Sequence, residues 1–156
     1  MQWLSDNLLN ELRQIASARS DRRAALQAAA EALRRSGGYR WVGLYDVDHA
    51  SAMVRNIVWS GPGAPEFPIF PLTKGLTSSA ISTRKAVNVG EVASDPRYLT
   101  AFGSTRSEII VPVLDPANDL VVGTIDVESE APNAFSDSIQ QLLESCAEVI
   151  RPLWHK

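Results

Sequence analysis

The residues of this chain that are best suited to chemistry are three carboxylates in two runs of branched residues. Asp126 and Glu128 stand two positions apart in the run 120–128, and Glu108 begins the run 108–114. Side chains two positions apart on a strand point to the same face, about 7 Å from each other along the strand. Because like charges side by side on a sheet are destabilising, a cluster of three requires a compensating interaction.

Three interactions can provide that compensation: a cationic group of a ligand, the neighbouring Arg106, or exposure of the carboxylates to water. The sequence leaves all three open. Strict alternation along the strand also places Val122 and Thr124 on the face of the carboxylates. The other branched residues of that run are then expected on the opposite face: Val121, Ile125 and Val127.

A pair of aromatic residues is the second candidate for binding. Trp41 and Tyr45 are predicted to lie on one face of a strand, with Gly43 between them on the same face. A glycine between two aromatic side chains can leave a slot that suits a flat or cationic group. The alternative, which the sequence slightly favours, is that both aromatics belong to the core and the glycine relieves crowding between them.

The sequence lacks the residues that several common kinds of catalysis require. The chain has one cysteine and two histidines. Cys146 lies within an apolar helical stripe, which favours a buried side chain over a reactive thiol. His49 lies in a turn-prone segment and His155 near the end of the sequence, so a catalytic pairing or a zinc site is not expected. The sequence has no Gly-x-Ser-x-Gly nucleophile motif and no phosphate-binding Gly-x-x-x-x-Gly-Lys loop, and we expect no cofactor.

The composition is typical of a single globular domain over residues 1–156, with 45% hydrophobic and 21% charged residues. A net charge of -3 without a basic patch argues against binding of nucleic acid, and the arginines between 19 and 35 are expected on a solvated helix face. No apolar run approaches the roughly 18 residues that cross a bilayer. Asp6 and Glu11 interrupt the first apolar residues, which argues against a secretory leader, and a lone cysteine favours the cytoplasm.

The predicted elements are two helices, two strands, an irregular middle, two strands and a helix. Ser20 or Asp21 is expected to cap the second helix, Gly37-Gly38 to end it, and Ser136 to cap the last helix. This order indicates an α/β (α+β) domain in which residues 1–36 form helices and residues 39–156 form an antiparallel sheet, its loops and the last helix. Strands are predicted at 39–47, 53–59, 87–89, 108–114 and 120–128, a short helix at 76–83, and a loop or edge strand at the proline-rich segment 61–71.

Two stretches together resemble the GAF domain. They run over residues 106–113 and 122–129, and Ala134-Phe135-Ser136-Asp137 and the last helix follow them. Within that fold the chain is most similar to the free methionine-R-sulfoxide reductase group, over nearly the whole sequence from Trp41 onward. The resemblance implies a six-stranded antiparallel sheet, with N- and C-terminal helices on one face and a ligand pocket under loops on the other.

The resemblance also implies a set of ligand-binding residues. In the reductase group an aromatic pair and three carboxylates surround the substrate, and the last carboxylate is usually an aspartate. The corresponding positions in this sequence are Trp41, Tyr45, Glu108, Asp126 and Glu128.

The cysteines of the reductase group have no counterpart. They would fall at Phe67, Thr77 and Ala101, and none of these residues is a thiol. Reduction of a sulfoxide by that route needs a thiolate and a second thiol, so this activity is not expected. The loop Asp95-Pro96-Arg97-Tyr98 is also closer to the corresponding loop of sensory GAF domains.

Three functions remain as hypotheses. The leading one is a sensor-like domain that binds a small polar molecule, such as an amino acid or a similar zwitterion. The second is an enzyme in which one of the crowded carboxylates acts as a general acid or base. The third is a dimerisation module without a ligand. A homodimer through the terminal helices is expected because the apolar stripe of the first helix is broad: Trp3, Leu4, Leu8 and Leu12.

Overall fold

The computed structural model describes residues 2–99 and 103–155. It contains four α-helices in the described part: α1 (Gln2–Ser17), α2 (Arg22–Gly37), α3 (Gly75–Thr83) and α4 (Asp137–Ile150). The strands are β1 (Trp41–Asp48), β2 (Met53–Ser60), β3 (Ile69–Pro71), β4 (Val87–Val89), β5 (Ser107–Asp115) and β6 (Leu120–Ser129). Two 3-10 helices cover Val92–Ser94 and Arg151–His155.

The six strands form one antiparallel sheet in the order β3-β2-β1-β6-β5-β4. The predicted α/β fold with a six-stranded antiparallel sheet is therefore confirmed. The strands β1, β6 and β5 lie side by side in the middle of the sheet, and they carry all the residues expected to bind a ligand. The short strand β3 pairs only with β2 at one edge, which fits its position inside the proline-rich segment.

The helices α1, α2 and α4 pack together over one face of the sheet. Asp21 caps α2, because its Oδ1 atom accepts a hydrogen bond from the backbone N–H of Ala24 at 2.8 Å. Gly38 ends the helix in the left-handed conformation, with φ 62°. The main core lies between these helices and the sheet, and its large members include Leu12, Leu26, Leu33, Leu44, Ile109, Ile125, Leu143 and Ile150.

Two of the arginines near α2 attach this helix to the sheet side of the domain. Arg22 forms an ion pair with Asp46 of β1 at 2.6 Å, and its Nε atom donates to the carbonyl of Leu153 at 2.8 Å. The Nε atom of Arg34 donates to the carbonyl of Tyr39 at 3.1 Å. The expectation of a solvated face is therefore wrong for Arg22 and Arg34, since both are half-buried.

A bulge in β6 changes which side chains face the pocket side of the sheet. Val113 pairs with Gly123 and Leu114 pairs with Val121, so Val122 has no partner on β5. The extra residue reverses the alternation beyond it. Val121 consequently packs with Tyr45, and Val122 packs against the helix-side core, which is the opposite of the expected arrangement.

The other face of the sheet is covered by α3 and by the segments that flank β3 and the first 3-10 helix. Two smaller apolar clusters lie there, one around Trp41, Tyr45 and Phe70 and one around Leu76 and Ile110. Helices on one face and loops on the other agree with the expected arrangement. Within the described ranges, no helix has the length and apolar character that crossing a membrane requires.

The outer part of the α1 stripe is exposed in the single chain. Leu8 and Leu12 are buried, whereas Trp3 is 71% and Leu4 57% exposed. Large exposed apolar side chains on one helix end favour a contact with another surface. The homodimer through the terminal helices stays a prediction.

Light scattering at high micromolar concentration tests whether the chain forms this homodimer. We expect a dimeric mass for the wild type and a monomeric mass for the double variant Trp3→Glu, Leu4→Glu, because burying two added carboxylates is unfavourable. Leu120→Glu is the matched control, since Leu120 is also exposed, at 41%, but lies at the β5–β6 turn. A monomeric wild type would contradict the prediction.

Candidate functional site

The pairing of β5 with β6 brings the three predicted carboxylates together. Glu108 lies directly opposite Glu128, and Asp126 lies opposite Ile110. Each of the three side chains has an oxygen within 4.8 Å of an oxygen of each of the others. All three are buried, with at most 5% of any residue exposed. We call Glu108, Asp126 and Glu128 the carboxylate cluster.

A small cavity adjoins the carboxylate cluster. Its volume is about 20 Å³, which is room for about one water molecule. Three of the five predicted ligand-binding residues line it: Tyr45, Glu108 and Asp126. The rest of the wall consists of Phe67, Phe70, Gly75, Leu76, Thr77, Leu99 and Ile110.

The indole of Trp41 occupies the space above Gly43. A Cβ atom placed on Gly43 would lie 2.1 Å from the indole ring, so the glycine relieves crowding and leaves no open slot. Trp41 is fully buried, its Nε1 atom donates to the carbonyl of Gly63 at 2.9 Å, and its ring centre lies 6.5 Å from that of Tyr45. Of the two aromatics, Tyr45 is therefore the one that lines the cavity.

Two of the three possible ways to compensate the carboxylates are excluded. Arg106 is exposed and forms an ion pair with Glu91 at 2.7 Å. Exposure to water is excluded by the burial of the cluster. Among the described residues, no ion pair joins a Lys, Arg or His side chain to Glu108, Asp126 or Glu128. Of the three interactions, a cationic group of a ligand is left, and protonation of the carboxyls is the alternative that burial favours.

Hydrogen bonds satisfy the cluster only in part. The hydroxyl of Thr105, which is buried, donates a short hydrogen bond to Oε1 of Glu128. Oδ1 of Asp126 and Oε2 of Glu128 are buried without a partner. Buried polar atoms are normally paired. Hydrogen bonds between the carboxyls themselves join Glu108 to Asp126 and Glu128 when a proton is present, so a donor from outside would compete with that proton for the same oxygens. Thr105 was missed by the sequence analysis because it lies outside the strand pattern, and no periodicity or motif marks it.

Burial raises the pKa of every member of the cluster. Loss of hydration raises the pKa of Glu108 well above its ordinary value, and the charges of Asp126 and Glu128 raise it further. Burial raises the pKa of Asp126 to about 6. Burial, followed by the charge of Asp126, raises the pKa of Glu128 to about 9. The cluster therefore holds protons at neutral pH.

Cys146 and His49, which the sequence predicts to be non-catalytic, lie away from the carboxylate cluster. Cys146 is buried in the core on the helix side of the sheet, and burial raises the pKa of its thiol to about 12. His49 lies in an exposed turn, where its Nε2 atom is 2.7 Å from the carbonyl oxygen of Val121. Without histidine or cysteine ligands, the carboxylate cluster does not resemble a zinc site.

Two of the three positions that correspond to cysteines of the reductase group lie at the cavity. Phe67 and Thr77 both line it. Ala101 lies outside the described residues. The cavity wall thus has an aromatic ring and a hydroxyl at positions where the resemblance implies thiols.

Comparison with known proteins identifies the fold independently. The sequence model of the GAF domain family, described as "GAF domain", matches residues 21–151. GAF domain-containing protein A of Dictyostelium discoideum is 24% identical over 145 residues, which cover 93% of this chain and 89% of that protein.

Solved structures give the same fold and include reductases. Free methionine-R-sulfoxide reductase from Neisseria meningitidis, solved in complex with its substrate, superposes with a TM-score of 0.87 at 25% identity, covering 97% of this chain and 88% of that chain. The type II enzyme from Thermoplasma acidophilum superposes with a TM-score of 0.78 at 33% identity, covering 92% and 95%. The predicted resemblance is confirmed.

The raised pKa values predict that the ligand-free protein loses stability as pH rises. A carboxyl whose pKa is higher in the folded than in the unfolded state is favoured in its protonated form by folding. The stabilisation that such a carboxyl gives the folded state is fully present below its unfolded pKa, near 4. It is lost as pH rises through the folded pKa, which is about 6 for Asp126 and about 9 for Glu128. Each unit of difference lowers the free energy of unfolding by about 1.4 kcal/mol.

Denaturant unfolding at about pH 5 and about pH 8 measures this loss. We expect Glu108→Gln to raise the free energy of unfolding at the higher pH and to reduce the difference between the two pH values, because it removes one of three buried carboxyls that raise one another's pKa. Glu91→Gln is the control, since Glu91 is a carboxylate in an exposed ion pair. If wild type and Glu108→Gln differ by less than about 0.5 kcal/mol at both pH values, the cluster carries no such strain.

Proposed function

The chain belongs to the GAF domain family, whose members commonly bind small molecules, and we propose that it is a sensor-like domain that binds a small molecule with a cationic group. The observation that carries this proposal is the buried carboxylate cluster without a counter-charge from the described residues. Burial of an uncompensated charge is costly. A ligand that supplies the missing positive charge removes that cost on binding.

The geometry of the cluster supports a primary ammonium group. An ammonium group has three N–H donors and no acceptor, and the cluster offers open acceptors at Asp126 Oδ1 and Glu128 Oε2. The ring of Tyr45, which lines the cavity, adds a cation–π contact. Trp41 supports that ring from the side, so its proposed role is to position Tyr45.

The apolar part of the wall supports a ligand with a short side chain, such as an amino acid. Phe70, Leu76 and Ile110 line the cavity beside the carboxylates. The present volume admits only the cationic group, so the rest of the ligand must displace side chains at the wall. Phe67 is the candidate for that movement because it lines the cavity and is 40% exposed.

A thermal-shift screen of amino acids and related zwitterions at about pH 8 tests the proposal. We expect at least one compound to raise the melting temperature of the wild type and of the control Glu91→Gln. The same compound should give little or no shift with Glu108→Gln, because the cluster then has one ionisable carboxyl fewer to face the ammonium group. If no compound shifts the wild type, the proposed ligand class is wrong.

The absence of a second cysteine predicts that the domain does not reduce free methionine sulfoxide. A thiol-based reduction needs an attacking thiolate and a resolving thiol, and Cys146 is buried on the opposite side of the sheet. The measurement is NADPH consumption in a coupled thioredoxin assay. We expect the wild type and Cys146→Ser to be indistinguishable from buffer. Turnover that survives Cys146→Ser would show a reductase mechanism independent of cysteine.

A further inference from the structure

Among residues 2–99 and 103–155, no Lys, Arg or His side chain forms an ion pair with the carboxylate cluster. Besides the three carboxyls, the titratable groups that face the cluster are the phenols of Tyr45 on β1 and of Tyr98 in the segment after the first 3-10 helix, and both interact with its charges. The hydroxyl of Thr105 is a neutral donor. The remaining elements at the cavity contribute only uncharged residues: Phe67, Phe70, Gly75, Leu76, Thr77, Leu99 and Ile110.

Three carboxyls at this spacing in a buried site share protons. Oxygens within 4.8 Å of one another cannot all carry charge in a low dielectric without a strong penalty, so the group retains at least one proton near neutral pH. This proton is bound by the cluster as a whole. The raised pKa values of the three carboxyls have the same physical origin.

One buried oxygen without a partner belongs to a residue that lines the cavity. Oδ1 of Asp126 has no hydrogen-bond partner although its residue is only 5% exposed and lines the cavity. The cavity has room for one water-sized group, and an ammonium ion has about that size. A donor in the cavity therefore meets an unpaired acceptor.

From this geometry we propose that a cationic ligand enters the carboxylate cluster in exchange for a proton, so that the affinity of the pocket for cations rises with pH. This inference rests on the proposed function and adds to it that pH regulates ligand binding. The ligand keeps its own charge, one carboxyl of the cluster releases its proton to the solvent, and the total charge buried in the cluster stays the same. The pocket thus responds to ligand concentration and to pH together.

The exchange has a quantitative signature. When one proton is released for each cation bound, the dissociation constant falls about tenfold for each pH unit while the cluster is still protonated. A neutral molecule of the same shape releases no proton, and its affinity does not rise in this way. Comparing the two molecules therefore distinguishes the effect of the ligand's charge on affinity from the effect of its hydrogen bonds.

Carbon-13 NMR of the side-chain carboxyls in the wild-type protein tests the exchange without an identified ligand. The probe is ammonium chloride between about pH 5 and pH 8, and tetramethylammonium chloride at equal concentration is the control, because its methyl groups remove all N–H donors and enlarge the ion. We expect at least one carboxyl to titrate above about pH 7 in the control salt. In ammonium chloride its midpoint should move to lower pH, by about one unit when the ammonium concentration is ten times its dissociation constant.

In the NMR titration, two results would overturn the exchange. One is a titration midpoint near pH 4 for all three carboxyls, and the other is identical midpoints in the two salts at every concentration. Glu108→Gln provides a second measurement, since removing one titrating group should reduce the ammonium-dependent shift while Glu91→Gln leaves it unchanged. A failure of the exchange can be distinguished from a failure of the proposed function. A zwitterion that binds with the same affinity at pH 5 and pH 8 overturns the exchange alone, whereas an ammonium effect without any zwitterion hit leaves the exchange and removes the proposed ligand class.

Discussion

Burial of three carboxyl groups against one another is the constraint on which the pocket depends. Glu108 and Glu128 lie opposite each other on paired strands, the arrangement in which like charges are least favourable on a sheet. Burial makes the repulsion stronger, because little water is present to screen it. The raised pKa values of the three carboxyls follow from this, and the hydrogen bond from the hydroxyl of Thr105 to Glu128 opposes part of the rise.

The opposite face of the sheet provides the rigid support for this arrangement. The main core between the helices and the sheet is built from apolar side chains of both layers. It fixes the register of β5 and β6, because a slip by one residue would move Ile109 and Val127 out of the core and the carboxylates into it. The same pairing that buries Ile125 thus determines the distance between Glu108 and Glu128. Apolar packing on one face sets the geometry of the acidic group on the other.

The sequence predicts those parts of the domain that depend on local periodicity. The order of the helices and strands, the strand bounds within about two residues, and the common face of Asp126 and Glu128 all follow from spacing and turn chemistry. The cap of the second helix is narrowed to Ser20 or Asp21, and the structure has Asp21. The bulge at Val122 could not be predicted, since an extra residue in a strand leaves no mark in a run of branched residues. The filling of the space at Gly43 by Trp41 depends on a side-chain conformation, which alternation does not determine.

The distribution of acids and thiols around the cavity bears on what kind of chemistry remains. Phe67 and Thr77 line the cavity without offering a nucleophile of comparable strength to a thiolate, so the carboxyl groups are the reactive side chains of its described wall. A protein that needed only the fold would be more stable with an apolar residue in place of a repelling buried carboxyl. Glu108, which lines the cavity and is 2% exposed, is the clearest case. Under the proposed function a bound cation offsets this cost, because the carboxyl that destabilises the free domain is one that faces the ligand.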